Sequence, residues 1–292
     1  MYLKYVTTGP NREPILYVRF LKDLYGLLRS ALLFYNKLRA NLEKMGFEVN
    51  SYDPCVDNKM INGLQMTVTW HVDDLKISHK ESDEVTKFIT ELGKLYDNDL
   101  TVHRGKVHSY LGMHFDYSTK GSVKISMIPH TKQIIDDFPE PVTSTAPTPA
   151  GDHLFTVRPD DEQKLLPEEQ AQAFHRTTAQ LLFLSQRARP DMQTLVSFLT
   201  KCVRSPDEDD WKKLKRGIMY LKGTMHMKLH IIVYSLSTIT WYVDASYGVH
   251  YNYKDHTGMM MALGAGACMS MSKAQKLNTG SSTELELLGV YL

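Results

Sequence analysis

At 292 residues the chain exceeds the usual single-domain size, and its 42% hydrophobic content is ordinary for a soluble globular protein, so two or three compact units are expected. Its 34 basic and 33 acidic side chains give a formal net charge of +1, which removes total charge as an argument for a nucleic-acid partner and leaves only the placement of charges. Cys55, Cys202 and Cys268 are far apart, Met1 to Pro14 holds no apolar leader, and the apolar stretch Met259 to Met269 is too short to cross a bilayer. These features argue against a disulfide framework, a thiolate zinc site and a membrane partner, and favour a reducing intracellular setting, the cytoplasm or the nucleus.

In chain order, Leu32, Tyr35, Leu38, Leu42 and Met45 recur every three to four positions and Gly46 follows, which predicts an amphipathic helix over Ser30 to Met45. Cys55 to Met60 and Leu64 to Trp70 read as strands joined by Asn62-Gly63, a dipeptide that tolerates positive φ. A second tight reversal is predicted at Asp73-Asp74, before Leu75 to Ser78. Ser82-Asp83-Glu84 then opens a helix carrying Val85, Phe88, Leu92 and Leu95. Short strands are expected at Leu111 to Tyr117 and Ser122 to Met127.

Pro139 to Pro167 contains six of the twelve prolines and few large apolar residues, and it reads as a linker. Three helices follow, over Glu168 to Arg187, Asp191 to Arg204 and Asp209 to Lys222, separated by Pro190 and Pro206. Strands return at Leu229 to Tyr234, Thr238 to Val243, Met259 to Leu263 and Ala267 to Met271. A last helix is expected from Ser281 or Ser282.

Adjacent carboxylates at a hairpin tip, Asp73 and Asp74, repel each other, and a divalent cation would relieve that; a solvated acidic turn is the plainer alternative. Asp244, at a strand end, and Glu284, at a helix start, could meet at another metal ion, or could be a turn former and a helix-dipole partner. From Trp211 to Val243 there is no acidic residue, whereas Lys212, Lys213, Lys215, Arg216, Lys222 and Lys228 are basic. That run either contacts a phosphate backbone or complements the helix dipole, behind the acids Asp207 to Asp210. His103, His108, His114, His226 and His230 lack a supporting cysteine or acid at ligand spacing and read as structural or surface residues.

The order of these features resembles the polymerase and ribonuclease H parts of copia-type retrotransposon polyproteins, over nearly the whole chain. Leu24-Tyr25-Gly26-Leu27, running on to Phe34-Tyr35, resembles the family's Tyr-Gly-Leu motif at the nucleotide and template site. His71-Val72-Asp73-Asp74 resembles its Tyr-Val-Asp-Asp turn. Tyr110-Leu111-Gly112-Met113, Ile125-Ser126 and His130 to Phe138 resemble the primer-grip region and the segment after it. Arg189-Pro190-Asp191 and Tyr220-Leu221-Lys222-Gly223-Thr224 stand as in the family's connection. Tyr242-Val243-Asp244-Ala245-Ser246 and Ser281-Ser282-Thr283-Glu284 resemble the first two carboxylate motifs of its ribonuclease H.

The resemblance implies an α+β chain made of a partial polymerase palm and thumb-like region over 1–138, the linker over 139–167, a helical connection over 168–228 and the first half of a ribonuclease H-like α/β domain over 229–292. It implies Mg²⁺ held by Asp73 and Asp74 for DNA synthesis and by Asp244 and Glu284 for RNA cleavage. Tyr25, Gly26, Leu27, Arg29 and His71 would line the nucleotide and template site, with Lys212, Lys213, Lys215, Arg216 and Lys222 on the nucleic-acid backbone. The implied partners are an RNA template, a DNA primer, an RNA–DNA hybrid and deoxynucleoside triphosphates. Arg29 replaces the family's usual glutamine and His71 its tyrosine. A third polymerase carboxylate and two later ribonuclease H acids of the family have no counterpart here, so neither activity is expected of this chain alone; a non-catalytic nucleic-acid-binding remnant and a translated relic are the alternatives.

Overall fold

In the computed structural model of the protein, residues 5–17, 28–276 and 279–291 are described. The chain divides between Val102 and His103 into two compact units, each a mixture of helix and antiparallel sheet.

The first unit starts with a short hairpin, β1 (Val6–Thr8) and β2 (Pro14–Leu16), which sequence patterning did not reveal because three-residue exposed strands carry no alternation. Helix α1 (Leu28–Lys44) follows, then a four-stranded antiparallel sheet in chain order: β3 (Glu48–Val49), β4 (Val56–Ile61), β5 (Leu64–His71) and β6 (Asp74–Ser78). Helix α2 (Ser82–Leu95) closes the unit. Asn62 and Gly63 both take positive φ, 53° and 73°, so the dipeptide makes the expected β4–β5 reversal. The side chains of β5 alternate strictly, with Met66, Val68 and Trp70 buried. They form one core with Leu38 and Leu42 of α1, Phe47, and Phe88 and Leu92 of α2; each helical pair is four residues apart and lies on one face. Ser82 is the first helical residue of α2 rather than its cap; Glu81 caps without a side-chain bond, while Asp83 and Glu84 occupy the first turn as expected.

The second unit holds β7 (Val107–Tyr110), β8 (Met113–Asp116), β9 (Ser122–Ser126), α3 (Ile128–Asp136), α4 (Glu168–Ser185), α5 (Gln193–Cys202), α6 (Glu208–Gly223) and β10 (Leu229–Val233). After these come β11 (Thr240–Ser246), β12 (His256–Ala262), β13 (Gly264–Ala265), β14 (Met269–Ala274) and α7 (Ser282–Tyr291). The strand expected over Leu111 to Tyr117 is β8, shortened at its start because Leu111 and Gly112 turn the chain with φ of 50° and 77° and pair it with β7 in a hairpin. One core, built on Phe174, Leu181, Leu184, Leu195, Leu199, Leu214 and Ile218, joins α3 to α6 and the sheet face carrying Ile125. Helices α5 and α6 approach closely at Gly217, where even a Cβ would lie 2.4 Å from Leu195 Cδ2.

The two units divide at 102/103, where β7 to β9 join the helical core of the second unit, whereas the motif order sets the end of the first region at residue 138. The stretch 139–167 is a strap rather than a free linker, since Ala146 and Leu154 are buried in that core. Strand β10, placed at the start of the last region, belongs to the sheet β13-β10-β9-β8-β7, and only β11, β12 and β14 form the separate three-stranded meander that α7 covers. No helix among the described residues is long and apolar enough to cross a membrane.

Candidate metal centre

Strands β5 and β6 stay paired down to His71 and Asp74, so only Val72 and Asp73 connect them. Val72 takes φ of +54°, a conformation that its branched Cβ disfavours, and the hairpin therefore holds local strain next to both carboxylates. Asp73 stands at the tip and Asp74 opens β6, and both are exposed. Since Trp70 points into the core, alternation sets His71 on the open face, and its ladder partner Asp74 shares that face. The pair offers hard oxygen donors of the type a small divalent cation takes. Among the described residues no group of three or more His, Cys, Asp or Glu side chains is placed to hold a metal, so two carboxylates are what this hairpin itself brings together. A cation there would complete its shell with water or substrate phosphate, as Mg²⁺ commonly does.

Of the expected nucleotide-site residues, Tyr25, Gly26 and Leu27 lie outside the described residues, and Arg29 is exposed in the first turn of α1. Beneath the hairpin lies a residue that sequence reading missed. Asp57 of β4 has no solvent exposure, and neither of its carboxylate oxygens has a hydrogen-bond partner among the described residues. Burial pushes its carboxyl above the ordinary range, with Arg39 drawing it back in part. The signal was present in its spacing: Asp57 stands directly opposite Val68 on the inward face of the hairpin.

The second carboxylate pair is not assembled in the same way. Gly289 of α7 sits against Val243, Ala245 and Thr257, so α7 covers that sheet face and alternation turns the exposed Asp244 to the other. The Glu284 carboxylate accepts a hydrogen bond from the Gly280 N–H at 2.7 Å, while Ser281 Oγ accepts from Glu284 N at 3.2 Å. Glu284 thus works as a helix-start residue in this arrangement.

Each basic side chain singled out on α6 has a partner within the chain. Lys212 donates to Asp209 at 2.8 Å, Lys213 to Thr156 O at 2.7 Å, and Arg216 to Thr148 Oγ1 at 2.9 Å. Lys222 donates to Val142 O at 2.5 Å, and Lys215 pairs with Glu140, whose other oxygen accepts from Trp211 Nε1 at 2.6 Å. Four of the five clasp the strap 139–167, a role that neither the phosphate nor the dipole reading contained. Arg158 of the strap returns the contact by pairing with Asp209, and with Lys212 it holds that carboxyl down to about 2. At the helix start Asp207 accepts from Asp209 N and Asp210 N, both at 2.9 Å, which makes the expected acidic cap.

The two motif segments of the connection meet. Arg189, 3% exposed, donates through Nε and Nη2 to Asp191 and through Nη1 and Nη2 to the carbonyl and hydroxyl of Thr224. Tyr220 donates its hydroxyl to Asp191 Oδ2 at 2.9 Å. Residues 29 and 35 positions apart are therefore one largely buried network that ties the Pro190 turn to the end of α6.

Residues 7–150 match the reverse transcriptase (RNA-dependent DNA polymerase) family. A protein named for transposon Ty5-1 in Saccharomyces cerevisiae is 26% identical over 268 residues, covering 91% of this chain and 84% of that protein. The retrovirus-related Pol polyprotein from transposon TNT 1-94 of Nicotiana tabacum is 25% identical over 279 residues, and there the chain spans 20% of the relative's length. The Pol polyprotein from transposon RE2 of Arabidopsis thaliana is 25% identical over 280 residues, of which the chain spans 18% of the relative. No solved structure matches the chain. The reverse transcriptase match spans the Asp73-Asp74 hairpin and these relatives carry retrotransposon names, so the chain is similar to copia-type retrotransposon reverse transcriptases.

Proposed function

We propose that the chain serves as the polymerase and ribonuclease H segment of a copia-type element, with Asp73 and Asp74 as ligands for Mg²⁺, and that it does not extend a primer on its own. The observation that carries this reading is the hairpin itself: two exposed carboxylates, Asp73 in a strained two-residue connection and Asp74 at the start of β6, near the centre of the matched region. Bound there, the ions would stabilise the charge that develops in nucleotidyl transfer. His71, on the same open face as Asp74, can stack or donate a hydrogen bond beside the substrate. Tyr25, Gly26, Leu27 and Arg29 would complete the contacts to template and deoxynucleotide. Asp244 and Glu284 would serve hydrolysis of the RNA strand of an RNA–DNA hybrid, a reading supported by the antiparallel meander followed by a helix that covers one face of it.

The inactivity is the part that primer extension decides: the hairpin brings two carboxylates together, and a cation there depends on water or substrate phosphate for the rest of its shell. A second reading, a translated relic no longer under demand for synthesis, is favoured by Asp57, an unpartnered acid in the core under the hairpin. The test is primer extension by the isolated chain on a homopolymer RNA template with Mg²⁺, alongside calorimetric titration of Mg²⁺ into the chain and into a D73N/D74N variant. Expected are weak Mg²⁺ binding that the double variant abolishes and no incorporation. Robust deoxynucleotide incorporation would overturn the inactivity, and equal Mg²⁺ binding by both proteins would overturn the ligand assignment.

A further inference from the structure

Away from the hairpin, the second unit buries two histidines where helix, sheet and strap meet. His250 is 4% and His256 6% exposed, with ring centroids 5.2 Å apart. Phe155 of the strap packs against both, at 4.7 Å and 5.1 Å, and against Phe198 of α5 at 6.0 Å. The ring nitrogens continue a hydrogen-bonded chain. Lys201 Nζ lies 3.4 Å from both His250 Nδ1 and His250 Nε2, His250 Nε2 lies 3.1 Å from His256 Nδ1, and His256 Nε2 lies 2.7 Å from Ser272 Oγ on β14. Ser272 Oγ is in turn 3.0 Å from Thr194 Oγ1.

A serine beside a histidine that a second histidine orients has the outline of an activated nucleophile, but proton bookkeeping runs the other way. Lys201 has only protons to give, so a His250 nitrogen must accept, and with Nε2 bonded to His256 that nitrogen is Nδ1. His250 Nε2–H then donates to His256 Nδ1, His256 Nε2–H donates to Ser272, and Ser272 O–H donates to Thr194. In this sense every donor from Lys201 to Ser272 has an acceptor, and His256 holds the serine rather than deprotonating it. The chain begins and ends on α5, since Lys201 and Thr194 are two turns apart on the same helix, and it passes through β12 and β14 between them. A parallel bond from Gln193 Nε2 to Ser270 O, at 3.4 Å, joins the same two elements.

We propose that Lys201, His250, His256, Ser272 and Thr194 form a proton-sensitive latch that fixes the β11–β12–β14 meander to α5 and releases it as the two imidazoles are protonated. An added proton has no acceptor to bond: His250 would face the Lys201 ammonium, and His256 would face the imidazolium beside it. The charged groups near the pair are cations. Lys201 reaches it from α5 and Lys254 from the turn before β12, whereas the Asp255 carboxylate is turned away to Gly248 N and the Thr279 hydroxyl. The strap faces the pair with Phe155 and β14 faces it with Ser272. Burial first pushes both imidazoles down to about 4 from their ordinary 6.5, followed by Lys201 and Lys254 at His250 and by His250 and Lys201 at His256.

The sign follows from which form binds protons. Between pH 6.5 and 4 a released imidazole is protonated and a latched one is neutral, so acid drives opening, by up to roughly tenfold per pH unit for each histidine. Latching is complete above 6.5 and is lost as the pH falls. This latch does not depend on any activity at Asp244 or Glu284.

Pulsed hydrogen exchange tests it on the full chain, equilibrated from pH 7.5 downward and labelled at one common pH, with histidine Cε1 resonances followed in parallel. Expected is loss of protection in β11, β12 and β14 before α4 and α6, and a smaller pH dependence for the meander in His256→Phe. If the variant does not fold, the wild-type series decides alone. Meander protection that stays equal to that of α4 and α6 through the whole descent, or two buried histidine signals titrating near 6.5 while the meander stays protected, would overturn the proposal.

Discussion

Asp57 is the residue whose chemistry most conflicts with its place. A carboxylate without partners in a core of Val68, Met66 and Leu42 forgoes its hydration and recovers no bond. Its folded pKa is raised, so whatever stability it lends is present in acid and is lost as the pH rises through that raised value, leaving its full cost at neutral pH. Asp57→Leu should therefore stabilise the first unit at pH 7 by about 1 to 3 kcal/mol, and by less near pH 4. Denaturant unfolding at the two pH values, read from exchange of the β4–β6 amides, checks both parts. A variant less stable than wild type at pH 7 would show that the acid has a partner after all. Val72 presents the converse case, a backbone strained beside exposed acids, and no apolar pattern announces it because φ is decided by the two-residue span between paired strands.

Among the elements, α6 carries the most cross-connections. Its first turn is capped by its own acids, its basic side chains hold the strap, and its last turn receives Arg189. The Arg189 contact needs a planar fork, since one guanidinium serves a carboxylate, a carbonyl and a hydroxyl together. Arg189→Lys keeps the charge but loses the paired donors, and should cost about 1.5 to 3 kcal/mol, measured as a lower urea midpoint for the second unit. A midpoint unchanged from wild type would reduce the network to a surface contact. The sequence displayed both ends of this network as motifs, but not that they touch, because contact across 29 and 35 residues depends on how α4, α5 and α6 pack.

For the whole molecule the consequential feature is the division at Val102 and His103. Residues 97–107 are all exposed and contain Arg104 and Lys106, whereas the proline-rich strap is pinned by buried Leu154 and the α6 clasp. Brief treatment with proteinase K, whose broad specificity gives it sites in both segments, should cut first within 97–107 and leave two resistant pieces, which intact-mass measurement would identify; first cleavage within 139–157 would contradict the clasp. Composition alone favours the opposite order, which makes the experiment discriminating. The helices other than α3, the Asn62-Gly63 hairpin, the acidic reversal at Asp73-Asp74 and the motif order that carries the resemblance were legible in the sequence, because each depends on local spacing or on a few neighbouring residues. The domain boundary, the strap, the membership of β10, the burial of Asp57 and the His250–His256 pair were decided only by tertiary structure. Each of these depends on which distant surface a segment covers, and apolar burial carries no sequence address for its partner.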